Sequence, residues 1–207
     1  MLPNINRFTL QTKELIILAS KSEVRKKILK QAGLKFKTVP AELDEDFHKK
    51  SLSNRSFSLI SKKLAEEKAL KVSKKYKESF VIGADQVCVF GKMLVNKPLT
   101  KSNAIKQLMI LRGKKHKQVS GCCVCKQGKI LYSFYKTAIL TMRKLSKKQI
   151  EDYVNCDMPI YSCGSYKYES KGYLLFSDVV GDQFTIQGLP ILSLFNYLLE
   201  KKIISYA

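Results

Sequence analysis

Residues 81–90 read VIGADQVCVF, an apolar, strand-forming run that reaches a glycine and a carboxylate at Gly83 and Asp85 and then carries on as strand. Such a run prefers burial, and a carboxylate inside it needs a partner. Two lysines stand near enough in the chain for the fold to bring them back: Lys68 upstream and Lys97, beside Pro98, downstream. Whatever the chain folds into has to place a charge in a core strand and arrange the rest around it.

The chain has 207 residues, enough for one large domain or two lobes with cores of their own. Hydrophobic residues make up 45% and Gly and Pro are few, the composition of a globular protein rather than a disordered one. Its 38 Lys and Arg against 17 Asp and Glu leave a net charge of +21, a field that attracts nucleotides, nucleic acid or acidic membrane. The positive charge lies in scattered doublets such as Lys62 and Lys63 or Lys147 and Lys148, the pattern of a solvated surface. No aromatic-interleaved RNA-binding signature, zinc-finger spacing or long basic arm goes with it, which disfavours nucleic acid as a partner. The opening MLPNINRFTLQTK lacks the apolar run of a secretory signal, and no stretch approaches the ~20 apolar residues of a membrane span. A cytoplasmic protein with no membrane partner is expected, its six cysteines reduced. Cys122 and Cys125 match C-x-x-C, but they sit in the apolar strand GCCVC with no second pair, and neither metal nor redox work is expected of them.

ELIILA (Glu14 to Ala19) has the pattern of a strand covered on both faces. A helix over Glu23 to Gln31 with Gly33 as its stop, and a second strand over Leu34 to Val39, follow. Ser56 to Tyr76 reads as a long amphipathic helix, Met93 to Val95 as a brief strand and Thr100 to Leu111 as a helix ended by Gly113. His116 to Lys126 and Lys129 to Met142 form a hairpin across Gln127 and Gly128. A helix capped by Ser146, strands over Gly172 to Val180 and Asp182 to Gln187, and a helix over Ile191 to Lys201 complete the chain. Strand and helix alternate first and hairpins come later, which predicts an α/β or α+β fold with a mixed sheet.

Three stretches suggest chemistry. In LASKSEVRKK, a helix begins at or just after Ser22, where unsatisfied N–H groups and the positive end of the helix dipole favour anions, yet Arg25, Lys26 and Lys27 crowd cations there. That conflict points to a missing phosphate, met by N–H groups, the Ser20 and Ser22 hydroxyls and the fork of Arg25. The alternative is a plain N-cap beside exposed cations. Second, Glu42, Asp44, Glu45 and Asp46 form an oxygen-rich cluster suited to Mg²⁺ or Mn²⁺, or else a solvated acidic loop. Third, in a metal reading Asp85 either holds the ion or takes a proton from the attacking water, and Lys97 offsets phosphate charge. His48 and His116 are too differently placed to form a metal pair, and no P-loop, G-x-G-x-x-G, G-x-S-x-G or H-E-x-x-H occurs.

Taken in order, LASKSEVRKKILKQAGLKF, LDE, LAEEKA, VIGADQV, NKPLT, LRGKKHKQVSG, GSYKYESKG and GDQFTIQGLP resemble the Maf nucleotide pyrophosphatases, once described as septum-formation inhibitors, over nearly the whole chain. The resemblance implies one domain over residues 1–207, related to the inosine triphosphate pyrophosphatases: a mixed, strongly bent sheet with flanking helices, in two lobes with the cleft between them. It also implies hydrolysis of a nucleoside triphosphate to the monophosphate and pyrophosphate with a divalent metal, Mg or Mn, and a homodimer. By position, Asp85 is implied as the proton acceptor or metal-associated carboxylate and Glu45 as a metal or water partner. Ser20, Ser22, Arg25, Lys68 and Lys97 are implied as phosphate contacts, and Gln86 as a further substrate-binding residue.

The chain departs from the family pattern in places. The S-P-R-R start is Ser22, Glu23, Val24, Arg25 here, leaving Lys26 to stand in for an arginine. The branch acting on thymidine and uridine triphosphates has glutamine where Glu169 stands in GSYKYESKG, and GADQVCV with GSYKYES looks closer to the 7-methylguanosine triphosphate branch. Glu169 would accept from the N1–H and 2-amino donors of a guanine edge. Val24 replaces that branch's tryptophan, and the base is left open. The rival readings are a basic nucleic-acid-binding protein and a non-catalytic regulator of division.

Overall fold

The computed structural model describes residues 9–43 and 56–206. In chain order its elements are β1 (Leu10–Thr12), β2 (Ile16–Leu18), α1 (Glu23–Gln31), β3 (Lys37–Thr38), α2 (Phe57–Lys75), β4 (Phe80–Phe90) and β5 (Met93–Leu94). Then come α3 (Lys101–Leu111), β6 (Lys115–Lys126), β7 (Lys129–Met142), α4 (Lys147–Asp157), a 3₁₀ turn at Gly172–Leu175, β8 (Phe176–Val180), α5 (Gln183–Ile186), α6 (Ile191–Glu200) and β9 (Ile204–Tyr206). A seven-stranded sheet runs β3-β2-β4-β6-β7-β8, with β5 attached to β4, while β1 and β9 pair separately. β2 is parallel to β3 and β4, and the other pairings are antiparallel, so the expected mixed α/β sheet with flanking helices is what forms.

β4 is central and covered on both faces. Its even positions Ile82 and Ala84 pack with Ile28 and Leu29 of α1 and Leu194 and Leu198 of α6. Val81, on the opposite face, packs with Ala65, Ala69 and Val72 of α2, and Val87 and Val89 meet Ile60 and Leu64 of the same helix. A further core, built by α3 and α4 on Ala138, Leu140 and Met142 of β7, lies toward the other end of the sheet. Strand alternation thus puts Asp85 on the α2 face and Gln86 on the other. It also separates the C-x-x-C cysteines: Cys122 packs in the α1–α6 core and Cys125 in the α2 core, and burial pushes the Cys122 thiol up to about 12.

Local chemistry explains most boundaries. Ser22, Ser56, Thr100 and Ser146 each accept from the backbone N–H three residues on, and Ser146 with Gln149 forms a capping box. Gln127 and Gly128, at φ 53° and 70°, close the β6–β7 hairpin with left-handed backbone at both turn positions. Three expectations need correction. Only Lys37–Thr38 of Leu34 to Val39 pairs, because β2 offers just Ile17 and Leu18 opposite it. The strand expected from Gly172 begins at Phe176 after a 3₁₀ turn. Asp182 to Gln187 is not a strand: Asp182 caps Thr185 through both N–H and hydroxyl, at 2.8 and 2.6 Å, and Gly181 and Gly188 at positive φ bracket a single helical turn.

Two glycines set the height of α2 above the sheet. A Cβ on Gly83 would lie 2.2 Å from the Ala65 carbonyl oxygen, and one on Gly121, which pairs with Asp85, would lie 2.3 Å from that of Ser61. Helix backbone therefore touches sheet backbone with no side chain between. Gly121→Ala is expected to cost about 1–3 kcal/mol by overpacking, lowering the thermal midpoint by several degrees. An unshifted midpoint would mean that the helix does not lie in backbone contact.

Candidate active site

Helix α2, held this low, delivers Lys68 to Asp85. The Lys68 Nζ donates to Asp85 Oδ1 at 2.6 Å, and both side chains are buried. Asp85 Oδ2 is also buried and has no hydrogen-bond partner among the described residues. A carboxylate with one oxygen gripped and the other unmatched among the described residues is available to a further partner.

That carboxylate borders a cleft of about 480 Å³. Of the residues picked out in the sequence, Ser20, Ser22, Arg25, Lys68, Lys97, Asp85, Gln86 and Glu169 all line it. They come from the β2–α1 turn, α2, the segment after β5, β4 and the loop before the 3₁₀ turn. Lys26 is not among the lining residues; its Nζ pairs at 2.7 Å with Glu23, which is. Glu45, Asp44, Asp46 and His48 lie outside the described residues. Glu42, the remaining member of the acidic stretch, lines the cleft.

The turn leading into α1 is held by its serines. Ser20 Oγ accepts from Ser22 N and Arg25 Nη1, both at 3.2 Å, and Ser22 Oγ accepts from Arg25 N at 3.4 Å. In each bond the hydroxyl is the acceptor, so its O–H remains to be donated to an anion. Arg25 is buried, and its Nε donates to the Gly188 carbonyl at 2.8 Å. The segment around α5 thereby closes one side of the cleft, since Gln86 donates to the Ile186 carbonyl and Ser120 to that of Thr185 at 2.7 Å. Lys97 is exposed in a segment tied to α3, where Asn103 donates to the Pro98 carbonyl and Gln107 to the Asn96 carbonyl, both at 3.1 Å.

Other lining residues were not singled out by sequence reasoning: Lys21, Gln118, Tyr161, Lys167 and Tyr168. Tyr168 and Lys167 lie inside GSYKYESKG, and that motif was their available signal. Gln118 lies inside LRGKKHKQVSG in the same way, and Tyr161 had no signal. Gln118 donates to the Tyr166 hydroxyl at 2.8 Å, and that hydroxyl stands 3.0 Å from His116 Nε2, so Tyr166 donates onward to a neutral imidazole. Burial pushes the Tyr166 hydroxyl well up and the imidazole of His116 down to about 4. His116 is buried against the rings of Tyr166 and Phe176.

The arrangement suits an extended anion: ammonium groups of Lys21, Lys68 and Lys97, the guanidinium of Arg25 and a helix start face one cavity beside a half-matched carboxylate. Residues 15–201 match the family described as Maf-like protein. A protein of Legionella pneumophila (strain Corby) named nucleoside triphosphate pyrophosphatase is 42% identical over 189 residues, 91% of this chain and 94% of that one. A protein of the same name in Rhodopseudomonas palustris (strain BisB18) is 37% identical over 193 residues, 92% and 96% of the two chains. Among solved structures, a HAM1 protein from Coxiella burnetii gives a TM-score of 0.42 at 13% identity, over 64% of this chain and 74% of that one. The chain belongs to the Maf-like family. No helix among the described residues is long and apolar enough to cross a membrane.

His116 sets a pH dependence. Its folded pKa lies below the ordinary value of 6.5, so between pH 6.5 and about 4 the unfolded chain binds a proton that the folded one refuses. The associated stabilisation is complete above pH 6.5 and is lost as pH falls through that window, by at most about 3 kcal/mol. Urea midpoints measured from pH 7 to pH 4 are expected to fall less steeply for His116→Gln than for the parent. Parallel profiles would remove this role.

Proposed function

We propose that the protein hydrolyses a nucleoside triphosphate to the monophosphate and pyrophosphate in this cleft. The observation that carries the reading is the buried Asp85, with Oδ1 held by Lys68 and Oδ2 unmatched. Lys68 fixes the carboxylate plane, and Oδ2 takes the proton of the water that opens the anhydride between the α- and β-phosphates; pyrophosphate departs. The Ser20 and Ser22 hydroxyls, the N–H groups of the first turn of α1, Arg25 and Lys97 receive the phosphate oxygens. Their fixed positive charge lies where negative charge builds on the leaving group. The names of the relatives support the same reaction.

A divalent cation, Mg²⁺ or Mn²⁺, fits these residues in a limited way. Among the described residues no group of three or more His, Cys, Asp or Glu could hold one, but Asp85 Oδ2 is a buried oxygen without a partner. Mg²⁺ commonly takes one or two carboxylates and completes its shell with substrate phosphates and water. In the alternative use of that oxygen, Asp85 would hold the ion together with Glu45 instead of taking the water's proton. Bound there, it supplies charge against the phosphate oxygens.

Glu169 lines the cleft on an exposed loop and presents acceptors only, which matches the N1–H and 2-amino donors of guanine. On that ground, and from the likeness of GADQVCV and GSYKYES to the 7-methylguanosine triphosphate branch, the preferred base is a guanine, plain or methylated.

The test is a product-resolved panel of ordinary and methylated triphosphates with Mg²⁺ or Mn²⁺. Monophosphate and pyrophosphate are expected, and release of diphosphate and phosphate would overturn the reaction. Asp85→Asn is expected to lower kcat about 10²- to 10⁴-fold with circular dichroism unchanged, and Lys97→Met to raise KM. Undiminished turnover in Asp85→Asn would remove the assigned role.

A further inference from the structure

Helix α4 carries an exposed cysteine, Cys156, next to its last residue, while Cys88, Cys122, Cys123 and Cys125 are buried and Cys163 is half-buried. The sulfur of Cys156 has a partner. The Lys171 ammonium donates to Cys156 Sγ with nitrogen and sulfur 2.9 Å apart, and both residues are open to solvent. The contact holds the Lys171 ammonium above its ordinary pKa of 10.5, through the hydrogen bond to the sulfur first and its charge second.

The backbone on both sides of this pair is fixed. Asp157, the neighbour of Cys156, accepts from Ser170 Oγ at 2.6 Å and from Lys171 N at 3.2 Å. One turn earlier in α4, the Tyr153 hydroxyl accepts from Lys167 N at 3.0 Å. Gly172 closes the turn by donating to the Lys167 carbonyl at 2.9 Å, and a Cβ there would meet that same oxygen at 2.3 Å. The stem of Lys171 therefore starts beside Cys156. A nitrogen and a sulfur at 2.9 Å stand inside the separation of about 3–3.5 Å at which held atoms react.

We propose that Cys156 and Lys171 form a peroxide-sensitive modification site, in which oxidation joins Sγ to Nζ as a sulfenamide. An adjacent ammonium favours the thiolate, which is the reactive form. The thiolate attacks one oxygen of hydrogen peroxide: an S–O bond forms, the O–O bond breaks, sulfur gives up two electrons and hydroxide leaves. That hydroxide takes a proton from Lys171 and becomes water. The amine lone pair then forms the N–S bond as the S–OH bond breaks, and the departing hydroxide leaves as water with a second lysine proton. One thiolate, one ammonium and one hydrogen peroxide thus give one sulfenamide and two waters. Sulfenic acids condense in the same way with backbone nitrogen. The new bond would tie the turn that carries Tyr168 and Glu169, both lining residues of the cleft, covalently to α4.

The experiment treats the full chain with equimolar hydrogen peroxide and maps its peptides by mass without reduction. The expected product has lost two hydrogens, contains a cross-link between the peptides of Cys156 and Lys171, and returns to the starting mass with dithiothreitol. Cys156→Ser is expected to abolish the cross-link. Lys171→Arg keeps the positive charge but lacks the nucleophilic amine, so Cys156 is expected to proceed to the sulfinic acid instead. Sulfinic acid at Cys156 of the parent without the cross-link, a loss of two hydrogens that maps to a disulfide, or a disulfide-linked dimer through Cys156 overturns the proposal. An unmodified Cys156 in the treated parent overturns it as well.

Discussion

Helix α2 lies against β4 and β6 at backbone distance, and the pairing of Lys68 with Asp85 in the cleft depends on that contact. Gly83 and Gly121 remove the side chains that would lift the helix, and Lys68 then reaches Asp85 at 2.6 Å. Burying both ions strips their hydration, and mutual attraction restores that loss only at good geometry, so the pair adds little net stability. Its consequence is directional. The ammonium takes one carboxylate oxygen and leaves the other unmatched among the described residues, in a side chain that lines the cleft.

The remaining walls are loops held by side chains rather than by strand ladders. Around α5, the carbonyls of Thr185, Ile186 and Gly188 accept from Ser120, Gln86 and Arg25, so three elements hold one segment over the end of β4. Around Glu169, Tyr153 and Asp157 of α4 do the same work from behind. Such fastening leaves the loop backbone irregular and its residues facing solvent, which is where ligand groups need to be. Arg25 shows the economy of the design: it steadies the α5 segment through Nε and the β2–α1 turn through Nη1, while its charge stays in the cleft.

Sequence patterns foretold the regular elements closely wherever a local rule governs them. Ser56 and Ser146 start their helices, Gln127 and Gly128 turn the hairpin, and the unbroken apolar run at β2 announces a strand covered on both faces. The segment Asp182 to Gln187 was misjudged because its alternation suggests a strand, whereas Asp182 caps its own neighbour and the carbonyls are claimed by distant side chains. Within the site, Asp85 and the cationic start of α1 were legible as breaches of local preference: a charge in an apolar strand, and cations on a positive helix end. Gln118 and Tyr161 breach nothing locally and left no such mark. Lys26, which looked like a cleft cation, is taken up by Glu23 because three residues along a helix bring those two together.

The chain alone determined most of the helices and strands, that Asp85 needs a cationic partner and that the start of α1 favours an anion, since each follows from neighbours within one turn or one strand. Only the tertiary structure decided which lysine answers Asp85, which oxygen is left unmatched among the described residues, and that Arg25, Asp85 and Glu169 line one cleft. Those outcomes depend on the height of a helix above a sheet and on hydrogen bonds between residues up to 163 positions apart. Neither distance is written in any local pattern.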